Sequence, residues 1–284
     1  MDLPASIEAA WGLRARPHRG PRPGLSLARV VDAGVQVAEA EGLAAVSMSR
    51  VAAELGAAPM SLYRYVSAKN ELIALMVDSM YREFLVPAAA DRGWRDGLSA
   101  LAWAMRAAMY AHPWVLGVPI SGLPVRPNEV AWFEQALGCL RDTGLTEAEK
   151  ASVILLVSGY VRNEASTNAD IQAAIRASGA APSEWMSAYG RMLTKLTDPE
   201  RFPALTQFIA SGVFEQFDPP DQEFTFGMER ILDGIGDLVA ARSSAPADPP
   251  ESGGPPEPGR TPEPGRTPEP GRTPEPGRTP EPAG

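Results

Sequence analysis

The seven residues Pro59-Met60-Ser61-Leu62-Tyr63-Arg64-Tyr65 place a thioether, a hydroxyl, two phenols and a guanidinium within two turns of a helix. These groups suit recognition rather than bond breaking. Hydroxyls, phenols and the guanidinium can donate to phosphate oxygens, and the methionine can meet the methyl group of thymine. With Leu62 turned to a core, Met60, Ser61, Tyr63 and Tyr65 are expected to point outward. Catalytic chemistry has little material elsewhere. The chain has two histidines, His18 and His112, and one cysteine, Cys139, so neither a histidine-rich metal site nor a cysteine–histidine pair has support. There is no phosphate-binding glycine motif, and Glu147 and Glu149 stand at a helix start, where carboxylates are ordinary. The expectation is a non-enzymatic binding protein with no cofactor and no metal.

Several short elements must position those seven residues. Hydrophobic periodicity predicts a helix over 27–41, ended by Gly42. Ser47 is an N-cap candidate for a second helix over 48–55, which buries Val51 and Leu55 and stops at Gly56. Gly56-Ala57-Ala58-Pro59 makes a tight turn, and Pro59 suits the first position of a third helix over 59–65, where its missing N–H is not needed. A longer amphipathic helix over 69–86 carries Leu72, Ile73, Met76, Met80 and Phe84. Two short helices joined by a turn of small residues match a helix-turn-helix, whose second helix enters the major groove.

The residues behind that pattern are the helix Val30–Gly42 ending in Glu41-Gly42, the run Ser47-Met48-Ser49-Arg50-Val51-Ala52, Leu55-Gly56, Ser61-Leu62-Tyr63-Arg64-Tyr65-Val66, Lys69 and Leu72. Together they resemble the DNA-binding domain of the TetR/AcrR family of transcriptional regulators. The resemblance implies that Ser47 and Lys69 contact phosphate, that Ser49 and Arg50 lie at the groove edge, and that Pro59, Met60, Ser61, Tyr63, Arg64 and Tyr65 form the reading helix. The Pro59-Met60 pair offers little hydrogen bonding, so readout is expected to lean on apolar contacts and DNA shape.

Further helices are expected at about 96–111, 127–143, 146–177, 183–196, 200–211 and 222–241, and strand alternation is absent. The fold class is therefore all-α, a three-helix DNA-binding domain followed by a larger helical domain. Thr146 and Glu149 form a capping-box pair, and the run that follows is apolar nearly all round. The last helix carries Phe224, Met228, Ile231, Leu232, Ile235, Leu238 and Val239 as one stripe, with Gly227, Gly234 and Gly236 where helices approach closely. Trp94-Arg95-Asp96, His112-Pro113-Trp114, Arg126-Pro127-Asn128-Glu129, Gly144-Leu145-Thr146 and Phe224–Leu232 resemble the regulatory domain of the tetracycline-repressor branch. This implies a homodimer formed by helices 146–165 and 222–241, through Ile154, Val157, Val161, Phe224, Met228, Ile231, Ile235 and Leu238. It also implies an effector cavity among helices 69–86, 96–111, 127–143 and 146–177, lined by Met76, Met80, Trp103, Met105, Met109, Trp114, Trp132, Phe133, Tyr160 and Asn163. Such a lining suits a bulky, largely apolar small molecule. Tetracycline repressors carry a metal-binding histidine four residues before the Arg-Pro pair; Gly122 stands there in this chain, against a magnesium–tetracycline effector.

The net charge is −9 over 284 residues, which excludes a protein that coats nucleic acid indiscriminately but leaves local basic surfaces open. Residues 14–29 contain five arginines and no acid. Residues 1–24 are expected to be a disordered basic arm, 25–86 the DNA-binding domain and 87–244 the regulatory and dimerisation domain. Residues 245–284 read as a disordered tail in which Pro-Glu-Pro-Gly-Arg-Thr occurs four times. One cysteine, no signal peptide and no apolar run of membrane-spanning length suggest a cytoplasmic location with no membrane partner. The expected activity is sequence-specific regulation on double-stranded operator DNA, most simply repression relieved by an effector. A ligand-independent regulator, or a small-molecule sequestering protein with a vestigial helix-turn-helix, remains open on the residues alone.

Overall fold

The structure is a computed structural model that describes residues 5–13, 25–87, 92–120, 124–216 and 221–244. The arginines at 14, 16, 19 and 22, Gly122 and the repeat tail lie outside the described residues. The elements run in the order α1 (Ala5–Ala10), α2 (Leu27–Glu41), α3 (Met48–Glu54), α4 (Pro59–Leu62), α5 (Lys69–Phe84), α6 (Trp94–Ala111), α7 (Pro127–Cys139), α8 (Glu147–Ser178), α9 (Pro182–Leu196), α10 (Pro203–Ala210) and α11 (Gln222–Ser244), with 3₁₀ turns at Leu43–Ala45, Pro113–Gly117 and Val213–Glu215. The described residues contain no strand.

Local chemistry explains the starts and stops. The hydroxyl oxygens of Ser26, Ser47 and Thr146 accept the backbone N–H of Arg29, Arg50 and Glu149 at the heads of α2, α3 and α8. Proline opens α4, α7, α9 and α10. Gly56 takes φ +63 in the turn between α3 and α4, a left-handed conformation that a side chain would strain.

Most of the buried apolar residues form one continuous cluster from Val30 to Ile235, which crosses the boundary expected at 86/87. α5 is the element shared by both ends. Its Leu72 and Met76 pack beneath α2, where Gly34 lets the Met76 sulfur approach closely, and its later turns pack on α6 and α7.

Two expectations need correction. The arm expected over 1–24 contains α1, an ordered helix whose Ile7 is buried. The Ser6 hydroxyl bonds to Glu71 on α5, and the Trp11 indole N–H donates to the Val125 carbonyl at 2.9 Å. The reading helix is also shorter than expected: α4 ends at Leu62, and Tyr63–Tyr65 form a turn, because Val66 must fold back into the core, where it is buried.

Candidate nucleic-acid interface and effector core

α3, the Gly56 turn and α4 form the helix-turn-helix. Leu62 and Val51 anchor it in the core, fully buried. Outward, Met60 is 75% exposed and Tyr63 46% exposed, with Pro59 and Arg64 also exposed and Ser61 half-buried. The Ser61 hydroxyl donates to the Ala58 carbonyl at 2.6 Å, which leaves it acceptor capacity only. Ser49 and Lys69 are exposed, while Ser47 is exposed but already caps α3 through its oxygen.

Two expected contacts are placed differently. Tyr65 is half-buried and its phenol donates to the Leu25 carbonyl at 3.0 Å, so it braces the entry to α2 instead of facing outward. Arg50 is clamped by Glu41, with Nε and Nη2 at 2.8 and 2.6 Å, and by Glu54 at 2.8 Å. These bonds, Glu41 foremost, raise its pKa. Its charge is spent tying α3 to the end of α2, which weakens its expected pull on phosphate.

The core behind this surface is nearly closed. A void of about 10 Å³, room for roughly one water-sized probe, lies among α6, α7 and α8. It is lined by Leu98, Leu101, Ala102, Met105, Trp132, Ala136, Ile154 and Val157. Of the expected cavity residues, only Met105 and Trp132 line it. Met76, Met80, Met109 and Trp114 are buried in the surrounding core, and Trp103, Phe133 and Tyr160 pack against it. Asn163 is exposed and faces away, a correction set by helix phase, since Val161 and Ala165 on either side of it are the buried positions. Among the described residues, no three His, Cys, Asp or Glu side chains gather as metal ligands.

Groups missed in the sequence join the reading surface to this core. Asp78 on α5 accepts the backbone N–H groups of Asn128 and Glu129, both at 3.0 Å, and the Asn128 side chain at 2.8 Å. It therefore caps α7 from another helix, while burial pushes its pKa up. His112, at the end of α6, lies 2.8 Å from Glu39 of α2 and 3.1 Å from Glu83 of α5. Arg106 is buried on α6 and holds Glu164 of α8 and Asp221 just before α11. No local pattern announces such distant partners; only the presence of charges on otherwise apolar helix faces hints at them.

The sequence model of the family "Bacterial regulatory proteins, tetR family" matches residues 30–76, and that of "Tetracyclin repressor-like, C-terminal domain" matches 86–239. The chain belongs to the TetR family. It is 42% identical over 86% of its length, and 90% of the relative's, to the HTH-type transcriptional repressor DrrR1 of Streptomyces coeruleorubidus. It is 28% identical to an HTH-type transcriptional regulator of Saccharopolyspora erythraea, over 54% of this chain and 64% of that one. Among solved structures, ActR of Streptomyces coelicolor in complex with actinorhodin superposes with a TM-score of 0.64 at 28% identity, covering 78% of this chain and 99% of that one. The apo form of ActR gives 0.61 at 27%, covering 78% and 99%. This TetR-family chain is thus a helix-turn-helix transcriptional repressor, not an enzyme.

The TetR-family resemblance also implied a dimer face, and here the residues expected for it need correcting. Ile154, Val157, Val161, Phe224, Met228 and Ile235 are buried within the chain itself, and Ile231 and Leu238 are half-buried against its core. Their stripe is the seam by which α8 and α11 pack on their own chain. Tyr160 donates to the Phe224 carbonyl at 3.1 Å, and Gly227 leaves the space its ring occupies. The large apolar side chains left uncovered on these helices include Leu155, 73% exposed, Leu156 and Phe226, 62% exposed, beside exposed Gly159 and Gly234; Ile171 is exposed further along α8.

Proposed function

We propose that this repressor acts as a homodimer in the cytoplasm and releases its operator when a bulky, largely apolar molecule enters the core between α6, α7 and α8. The observation that carries the reading is the Asp78 cap. α7 lines the void with Trp132 one turn beyond Asn128 and Glu129, and the N–H groups of those two residues are gripped by the helix that directly follows α4. A ligand that wedges α7 away from α6 must drag Asp78, and with it α5 and the reading turn. Operator release then follows to the extent that the ligand prefers the wedged state. ActR, crystallised with actinorhodin, supports a small-molecule effector for this architecture.

Contacts with DNA would come from Met60, Tyr63, Arg64 and Lys69, with Ser47, Ser49 and Pro59 along the groove edge. Dimerisation would use the uncovered Leu155, Leu156, Phe226, Gly159 and Gly234 face, which permits close approach of two copies. No helix of the described residues is long and apolar enough to cross a membrane. The described region divides, in this reading, into a DNA-binding part over 25–86 and a regulatory part over 87–244.

Selection of bound DNA from a random pool, followed by mobility shift on the selected sequence, tests the reading. The expected result is a site with two-fold related halves about one helical turn apart, released by an added ligand, with actinorhodin as the first probe. Replacing Asp78 by Ser should leave operator binding in place and raise the ligand concentration needed for release. Failure to select any specific sequence would favour a sequestering protein instead.

A further inference from the structure

We propose that His112 is a proton-operated clasp between the DNA-reading half and the regulatory half, closed when its ring is charged. The clasp rests on the operator-release reading above and adds the proton as a second input. His112 ends α6, where φ −124 and ψ 61 turn the chain out of the helix into Pro113–Gly117. Both ring nitrogens meet carboxylates. Nδ1 lies 2.8 Å from Glu39 Oε1 of α2, and Nε2 lies 3.1 Å from Glu83 Oε1 of α5. Nδ1 is buried and makes no in-line hydrogen bond, so its contact with Glu39 is one of charge. An ionised carboxylate only accepts, and a neutral imidazole has a single N–H. Whichever nitrogen carries that hydrogen, the other turns a lone pair toward an oxygen. Only the imidazolium attracts both glutamates, so the arrangement favours the charged ring.

The clasp spans the joint, since α2 belongs to the reading half and α6 to the regulatory half. Close by, the Leu43 side chain after α2 lies against Gly117 after α6. Neighbouring charges on the elements packed here have other partners. Glu41 on α2 holds Arg50, and Arg82 on α5 donates to the Ser79 carbonyl at 3.3 Å. Arg106 and Tyr110 on α6 hold Glu164, and Arg162 on α8 donates to the Leu116 and Val118 carbonyls at 3.0 and 2.7 Å. Histidine changes charge between about pH 5 and 8. A clasped form that favours the charged ring gains population as pH falls and loses it as pH rises. Acid therefore holds the reading half in the resting arrangement that binds the operator.

Fluorescence anisotropy of the full chain on the selected operator, at constant ionic strength, tests the clasp. From about pH 8 to about pH 6, affinity should rise roughly two- to fivefold more in the natural protein than in His112→Gln, the scale of a partly exposed ion pair. Glu39→Gln should lose the same excess, because it keeps the ring and removes its charged partner on α2. A merely structural contact would instead lower affinity equally at both ends of the range. NMR spectra of the natural chain without DNA give a reading that holds even where a variant fails to fold. Both ring nitrogens of His112 should carry protons at about pH 6, and the α2 backbone amides around Glu39 should move in step as one proton leaves. The chain has one other histidine, so His18→Gln assigns the signals. Identical pH profiles in the natural protein and His112→Gln would overturn the clasp and keep the operator-release reading. An excess in the opposite sense, with tighter binding in alkali, would overturn the link between the clasped form and DNA reading. Ring titration without any response in α2 would overturn the clasp even if no operator were found.

Discussion

The two ends of α5 meet opposite surroundings. Its first turn follows a reading surface that is already assembled, with Ser47 capping α3, Arg50 clamped by two carboxylates and Met60 and Tyr63 exposed. Its last turns enter a core whose void between α6, α7 and α8 has room for about one water. On the proposed reading, the exposed DNA-binding end would engage without rearrangement, while the effector end would have to be forced open. Operator affinity would then be a property of the resting protein, and effector affinity would be reduced by whatever it costs to open α6, α7 and α8.

Mutations at the two ends should divide accordingly. The largest effect is expected at Arg106, buried on α6, where the guanidinium holds Glu164, Asp221 and Tyr110 and lies over the Trp103 and Phe224 rings. Removing one partner from a buried ion pair costs about 3–5 kcal/mol; since Asp221 is exposed, Arg106→Ala should fall at the lower end in urea unfolding. A loss below about 1 kcal/mol would contradict a tightly closed core. Gly227→Ala comes next. The added methyl would overlap the Tyr160 ring, and overpacking of this sort costs about 1–3 kcal/mol, measurable as a lowered urea midpoint with an unchanged slope.

At the reading end the signature reverses. Met60→Ala should weaken binding to the selected operator by about 1–2 kcal/mol while the melting temperature holds, because the Met60 side chain stands largely in solvent. A parallel loss of stability would show that the surface is not preformed. The smallest effect concerns Glu149, which the Arg242 side chain and the α8 cap hold down to about 2. Its folded pKa lies below the unfolded one, so its contribution is present above about pH 4.5 and lost as pH falls through about 2. The melting-temperature gap between the natural protein and Glu149→Gln should shrink over that window, and a constant gap would remove the clasp between α8 and α11 from the account.

Signals that act over a few residues are legible in the sequence by itself. Ser47, Gly56, Pro59 and the Thr146–Glu149 pair each do locally what their chemistry requires, and they fix where helices begin and turn. The apolar stripe of α11 is equally plain, but periodicity tells which residues are covered and not by what. Phe224 and Met228 therefore suggest a partner chain when their cover is α6 and α8 of the same chain. Tyr65 misleads for a related reason: a phenol has an apolar body and a polar tip, and only the placement of Leu25 shows that both are used internally. The Asp78 cap joins residues 50 positions apart and has no trace in local spacing.

The short helix α1 has a practical corollary. It lies ahead of the region matched by the family models, yet it bonds to Glu71 through Ser6, and Trp11 just beyond it bonds to the backbone entering α7. Anyone grafting this reading head onto another regulatory half, or trimming the chain for crystallisation, should carry residues 5–13 along, since cutting at Leu25 would sever a splint that spans the joint between sensing and reading.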